Sequence, residues 1–151
     1  MAERRDKGAA AGGARRRARE LALQALYAID MNPALTVEQA LAFARSIEVV
    51  DDAAALGYAE SLLRGAVEHA AEIDAIIQGA SKNWRLERMA RVDRNLLRLG
   101  TYELRFVTDV PAKVAINEAI EVAKRFGAAE SPAFVNGLLD RIAQELRRGP
   151  A

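Results

Sequence analysis

The chain has 151 residues, of which 51% are hydrophobic and 28% charged, a composition typical of a folded globular protein. The absence of cysteine excludes a disulfide framework, a thiolate nucleophile and a cysteine-based metal site, and one histidine, His69, leaves no conventional zinc site. The net charge of +1 is unevenly distributed, because residues 1–20 contain seven Lys/Arg against three Asp/Glu, whereas the remainder has a net charge of −3.

The N-terminal region is predicted to be a tail followed by a helix. Residues 1–14 contain three glycines and show no apolar periodicity, so we expect a flexible basic tail. From Arg15 onward, small and apolar residues recur on one helical arc: Ala18, Leu21, Ala22, Ala25, Leu26 and Ile29. This helix should end near Met31, because Asn32 suits a C-terminal cap and Pro33 cannot continue the helix.

The next two helices have N-terminal signals of their own. Thr36-Val37-Glu38-Gln39 is a capping box that predicts a second helix to about Ile47. Asp51 or Asp52 is expected to cap a third, long helix that reaches Ile77 and ends or bends at Gly79. Residues 80–88 show no clear periodicity and separate the chain into two helical halves.

The second half is predicted to contain three helices. They span about Ala90–Val107, about Ala112–Phe126 after Pro111, and a last helix that begins with a hydroxyl cap at Ser131-Pro132. Gly127 should end the second of them, and no segment alternates long enough to form a strand. The fold class is therefore all-α. We predict a compact bundle of six to seven helices in one domain, 15–151, with helical subdomains of about 15–80 and 85–148.

Catalytic and cofactor motifs are absent. The sequence has no glycine-rich phosphate loop, no His-Glu-x-x-His and no Gly-x-Ser-x-Gly, so we predict neither an enzyme, a catalytic residue, a bound metal nor a cofactor. No apolar run approaches the roughly 18–20 residues of a membrane span, and the basic N-terminus lacks the apolar segment of a secretory signal. We therefore expect a soluble cytoplasmic protein that does not bind a membrane.

The first helix presents a candidate surface for nucleic acid. Arg15, Arg16 and Arg19 lie beside its apolar face, and Tyr27 follows about 16 Å further along the axis at 1.5 Å per residue. Guanidinium groups neutralise phosphates and an aromatic ring stacks on a base, as single-stranded nucleic acid requires. The alternatives are a basic segment that only improves solubility and a tyrosine that belongs to the core.

The Ala90–Val107 helix also has an unusual surface. Arg94, Arg98 and Arg105 form a positive stripe without an acid in it, which suggests a partner rather than a solvated face of mixed charge. Asp93 and Glu103 interrupt its broad apolar arc. A carboxylate there must find a hydrogen-bond or charge partner, either within the fold or in a second protein.

Several segments in order along the chain resemble the NusB transcription antitermination factors. The N-terminal half contributes Arg15-Arg16-Arg17-Ala18-Arg19-Glu20 followed by Gln24-Ala25-Leu26-Tyr27. The second half contributes Arg98-Leu99, Tyr102-Glu103-Leu104, Asp109-Val110-Pro111, Val114-Ala115-Ile116-Asn117-Glu118-Ala119-Ile120-Glu121, Ala123-Lys124, Phe126-Gly127, Ser131 and Phe134-Val135-Asn136-Gly137-Leu138-Leu139-Asp140. The resemblance covers residues 15 to about 146, although the 80–88 segment matches poorly.

The resemblance implies an all-helical, non-enzymatic factor that suppresses premature termination by RNA polymerase. Such factors bind the single-stranded boxA element of nascent ribosomal RNA leaders together with NusE, a ribosomal protein, and meet other Nus factors and the polymerase indirectly. Carried over by position, the RNA-binding residues are Arg15, Arg16, Arg17, Arg19, Tyr27, Arg98, Glu130, Ser131 and Phe134. The NusE-binding residues would be Asp93 and Glu103.

Two alternatives remain open at this stage. NusB-like domains also precede some ribosomal RNA methyltransferases, so the chain could be an RNA-targeting module of such a system. It could also form a homodimer that stores the protein with its RNA-binding arginines covered.

Overall fold

The structure is a computed structural model that describes the backbone of residues 2–146 and the side chains of residues 13–146. Within the described residues it contains seven α-helices and no strand, which confirms the all-α prediction. The helices are α1 (Ala2–Met31), α2 (Val37–Ile47), α3 (Ala53–Glu68), α4 (Ala70–Ala80), α5 (Arg91–Phe106), α6 (Ala112–Phe126) and α7 (Ser131–Leu146). A 3₁₀ turn, Leu86–Arg88, lies between α4 and α5.

Helix α1 begins earlier than predicted, at Ala2 instead of Arg15. Alanine, glutamate and arginine favour helix strongly enough to extend it across the three glycines of this segment. The side chains of residues 1–12 lie outside the described residues, so the role of this basic segment as a flexible tail stays a prediction.

Two of the predicted N-terminal caps are present. The Thr36 hydroxyl accepts from the Gln39 backbone N–H at 3.0 Å, and the Gln39 side chain accepts from the Thr36 N–H at 2.9 Å, which completes the capping box of α2. At the start of α3, Asp52 Oδ1 accepts from the Ala54 N–H at 2.9 Å. Of the two candidate aspartates, Asp52 is therefore the cap.

Two compact units divide the chain, 1–63 and 64–151, and the division falls inside α3. In the first unit, α1 packs on α2, and the buried residues Ala40 and Ala44 of α2 are small enough for two helices to approach closely. In the second unit, α4 packs against α5 and α7. The predicted helical subdomains of about 15–80 and 85–148 stay a prediction.

Helix α5 is the central element of the second unit and packs against α4, α6 and α7. Its leucines Leu96, Leu97, Leu99 and Leu104 are buried. At Gly100, a Cβ atom would lie 2.8 Å from Leu139 Cδ1 of α7, so glycine allows these two helices to pack in close contact.

The predicted long third helix is interrupted at His69, which separates α3 from α4. His69 has φ −105° and ψ 23°, outside the helical range, and its ring stacks on Phe106 of α5 at 4.2 Å between centroids. Tyr102 also stacks on Phe106, at 5.3 Å. The break in the helix places the imidazole of His69 against these rings. Because the rings belong to another helix, local sequence signals do not reveal this contact.

Candidate nucleic-acid interface

The side chains of Arg15, Arg16 and Arg17 form an exposed basic patch on α1. We call these three residues the arginine patch. The flanking residues Ala14 and Ala18 are buried, whereas the three arginines between them are exposed to solvent. Three adjacent positive charges attract a polyanion and remain accessible to it.

Tyr58 of α3 supports the arginine patch, a contact that sequence patterns did not reveal. The guanidinium carbon of Arg15 lies 4.4 Å from the centroid of the Tyr58 ring, and that of Arg19 lies 5.6 Å from it. Both distances are within the range of cation–π attraction. The ring therefore holds the guanidinium of Arg15 in place beside an open cavity of about 480 Å³ that Tyr58 and Arg15 help to line.

Asp52 joins the arginine patch to the start of α3. Its Oδ2 atom lies 3.4 Å from Arg17 Nη2, while its Oδ1 atom caps the helix. Both side chains are partly exposed, at 45% for Arg17 and 36% for Asp52, so the ion pair contributes less than about 1 kcal/mol. A phosphate group can therefore compete for Arg17 at little cost.

Arg19 and Tyr27 are less accessible than the sequence suggested. Arg19 is only 5% exposed and lies over the Tyr58 ring, and its contact with RNA stays a prediction. Tyr27 is half-buried, which leaves part of the ring accessible. Its role in base stacking stays a prediction.

Two of the three arginines in the positive stripe on α5 pair with acids of α4. Arg98 donates to both carboxylate oxygens of Asp74 on α4, with Nε at 2.8 Å from Oδ1 and Nη2 at 3.2 Å from Oδ2, and its Nη1 donates to Asn95 Oδ1 at 2.9 Å. Arg105 pairs with Glu72 at 3.2 Å. The sequence missed these acids because they belong to another helix. Arg98 thus has a structural role in joining α5 to α4, and its contact with RNA stays a prediction.

Replacing Arg98 by alanine should lower the free energy of unfolding by about 1–2 kcal/mol, because Asp74 then keeps its charge without its bidentate partner. A double-mutant cycle with Asp74→Ala, measured by urea unfolding, should give a coupling energy of about 1 kcal/mol. Additive effects of the two substitutions would show that this ion pair does not hold α4 to α5.

The remaining predicted RNA contacts are Glu130, directly before α7, and Ser131 and Phe134 in its first turn. Glu130 is exposed and Phe134 is half-buried, so both can reach a ligand. Ser131 is only 1% exposed, and its hydroxyl accepts from the Ala128 N–H at 2.9 Å. Ser131 therefore braces the preceding turn and is itself the first residue of α7, and its contact with RNA stays a prediction. Gly127 fits this turn because a Cβ there would lie 2.6 Å from Ser131 Oγ.

The two predicted NusE-binding acids differ in the structure. Glu103 is only 2% exposed, so little of it is accessible to another protein, and its contact with NusE stays a prediction. Asp93 is 8% exposed and lines a surface cavity. Its Oδ1 atom is buried and accepts no hydrogen bond from any group that the structure describes.

The part of the chain that the structure describes holds no group of three or more His, Cys, Asp or Glu side chains arranged to bind a metal ion. None of its helices combines the length and the apolar character needed to cross a membrane.

The fold and the arginine patch define an all-helical protein with a basic surface of the kind that binds a polyanion. The sequence profile of the NusB family matches residues 16–144. The transcription antitermination protein NusB of Myxococcus xanthus is 50% identical over 138 residues, which cover 90% of this chain and 99% of that relative. NusB of Geobacter sulfurreducens is 52% identical over 136 residues, or 89% and 96% of the two chains. The chain belongs to the NusB family.

Solved structures agree with this membership. NusB of T. maritima is 42% identical and superimposes with a TM-score of 0.78 over 87% of this chain and 91% of that one. A structure of the antitermination factors NusB and NusE in complex with dsRNA contains a chain that is 28% identical, with a TM-score of 0.80 over 87% of this chain and 97% of that one.

Proposed function

We propose that this protein is a transcription antitermination factor that binds the boxA element of nascent ribosomal RNA leaders together with NusE. It is a regulatory RNA-binding protein and not an enzyme, and it acts in the cytoplasm, where transcription takes place. The observation that carries the proposal is the arginine patch, three exposed guanidiniums on a helix of a NusB-family chain.

The comparisons support both partners. Curated relatives at about half identity bear the name transcription antitermination protein, and one similar structure holds NusB and NusE with double-stranded RNA. In our proposal the RNA is single-stranded boxA, because unpaired bases are accessible for stacking. NusE binds beside it, and the pair meets other Nus factors and RNA polymerase.

Transcription in vitro tests the proposed function. A template with a boxA leader ahead of a terminator should give more read-through when this protein is added to polymerase, NusE and the other Nus factors. A template with a scrambled boxA provides the control. Read-through that is unchanged by the protein, or equal on both templates, would refute antitermination.

Tyr58→Ala should weaken RNA binding about fivefold, since the loss of a cation–π contact worth about 1 kcal/mol leaves Arg15 less ordered. Tyr58→Phe keeps the ring and should bind nearly as well as the wild type. Fluorescence anisotropy of labelled boxA RNA measures both variants. If the phenylalanine variant loses as much affinity as the alanine variant, the ring does not act through Arg15.

A further inference from the structure

A groove on the first unit lies between α1 and one face of α3, directly beside the arginine patch. Its volume is about 480 Å³, within the range of about 300–1,000 Å³ that is usual for ligand sites. The residues from α3 are spaced i, i+3, i+4 and i+7, so they share one face of that helix. We call this surface the α1–α3 groove, and it is lined by Ala14, Arg15, Ala54, Gly57, Tyr58 and Ser61.

The α1–α3 groove stays open because α3 has small residues where longer side chains would fill it. A Cβ atom added at Gly57 would meet nothing within 4 Å, so no neighbouring side chain covers this part of the surface. Ala54 and Ser61 lie one turn before and one turn after Gly57, and both are exposed. The groove is therefore accessible to a group from another molecule.

Arg15 belongs both to the arginine patch and to the α1–α3 groove, so the two surfaces are continuous. Its guanidinium carbon lies 4.4 Å from the centroid of the Tyr58 ring, and this contact holds the planar group over the ring. Because Arg15 is exposed, its guanidinium remains accessible to a further planar group. Unpaired RNA bases stack on aromatic rings and on guanidinium planes.

Charge indicates which ligand suits the α1–α3 groove. None of the six lining residues is acidic, whereas Arg15 lines the groove and the exposed Arg16 and Arg17 follow it in the arginine patch. The favoured ligand therefore joins a planar, largely apolar group to a negative charge. A nucleotide has this combination in its base and its phosphate. Since the arginine patch is the proposed RNA surface, the nucleotide belongs to the RNA strand bound there.

We propose that the α1–α3 groove binds one unpaired base of the RNA strand that the arginine patch holds, with the base stacked on the guanidinium of Arg15 and seated over Gly57. This inference rests on the proposed function, because it requires RNA on the arginine patch. It adds α3 to the RNA surface. The hydroxyls of Tyr58 and Ser61 both donate and accept, so the groove accepts any base and does not read sequence.

A cycle between a groove-filling variant and abasic RNA tests the proposal. Gly57→Leu fills the groove without a clash at Cβ, and it should weaken binding of labelled boxA RNA about fivefold, because one stacking contact is lost. An abasic nucleotide is then placed in turn at each position of boxA and of its flanks. At one position the abasic RNA should bind the wild type about fivefold more weakly, yet bind Gly57→Leu with no further loss. Fluorescence anisotropy measures each affinity.

Gly79→Leu is the matched control. Gly79 lies within α4, and a Cβ atom there also meets nothing within 4 Å, so the same substitution is made away from the groove. This variant should bind every RNA of the series like the wild type. Ser61→Leu fills the groove from the next turn of α3 and should repeat the effect of Gly57→Leu at the same RNA position. Circular dichroism of each variant separates loss of binding from loss of folding.

The outcomes separate the two proposals. If boxA RNA binds neither the wild type nor Gly79→Leu, the proposed function itself fails. If boxA binding depends on the arginine patch but Gly57→Leu and Ser61→Leu bind every RNA like the wild type, the base site in the groove is refuted alone. A loss in Gly57→Leu that is equal for all abasic RNAs would also refute it, because no base then occupies the groove. The same conclusion follows if both variants reduce only the gain in affinity that NusE provides, because the groove then receives a protein.

Discussion

Replacing Arg15, Arg16 and Arg17 together by alanine should lower the affinity for boxA RNA roughly fiftyfold at about 0.15 M salt. Each phosphate contact on a single strand contributes about 0.7 to the slope of log K against log salt, so three contacts give a slope near −2. The variant should therefore bind weakly and with a slope close to zero. Anisotropy titrations between about 0.05 and 0.3 M salt measure both quantities.

A charge-matched variant elsewhere on the surface controls for net charge. Lys113, Lys124 and Arg125 of α6 are exposed, and their replacement by alanine removes the same charge as the loss of the arginine patch. This control should keep most of the affinity and most of the slope. Equal losses in the two triple variants would mean that binding depends on overall charge and not on the arginine patch.

Gly65→Ala should lower the free energy of unfolding by about 2 kcal/mol, because the site has no room for a methyl group. A Cβ atom at Gly65 would overlap Cζ, Cε1 and Oη of Tyr102. Tyr102 cannot move aside easily, since its ring stacks on Phe106, which also contacts His69. Urea unfolding followed by circular dichroism measures the loss.

Gly57 provides the matched control on the same helix. A Cβ atom there meets nothing within 4 Å, so Gly57→Ala should stabilise the protein by up to about 1 kcal/mol through helix propensity. The double variant Gly65→Ala/Tyr102→Ala lacks the clashing ring. Its free energy of unfolding should therefore be nearly the same as that of Tyr102→Ala alone. A Gly65→Ala protein as stable as the wild type would contradict the close packing of Tyr102 on α3.

Local chemistry predicted much of the fold. The capping box at Thr36 and Gln39, the aspartate cap at Asp52 and the stop at Gly127 each depend on hydrogen bonds or space within a few residues. Such signals are contained in the sequence itself. They predicted the starts of α2 and α3 and the end of α6 to within about a residue or two.

Long-range contacts account for what the sequence did not predict. The break in the helix at His69 is accompanied by stacking of its ring on Phe106 of α5. Arg98 and Arg105 of α5 pair with Asp74 and Glu72, which belong to α4. A helical wheel places residues on faces of one helix but does not tell which neighbour covers each face.

The sequence predicted only part of the candidate site, for the same reason. The sequence predicted the exposed arginine patch, since basic runs remain on surfaces. It did not reveal that Arg19, Glu103 and Ser131 are buried, nor that Tyr58 lies beneath Arg15. Burial of a polar side chain is decided by neighbours distant in sequence, so these assignments required the three-dimensional structure.

The most direct test of RNA recognition compares labelled boxA RNA with a scrambled RNA of the same composition and with a boxA duplex, each with and without NusE. We predict that single-stranded boxA binds more tightly than either comparison RNA and that NusE increases its affinity further. Equal affinity for all three RNAs, unchanged by NusE, would contradict the assignment of this chain as a boxA-binding antitermination factor.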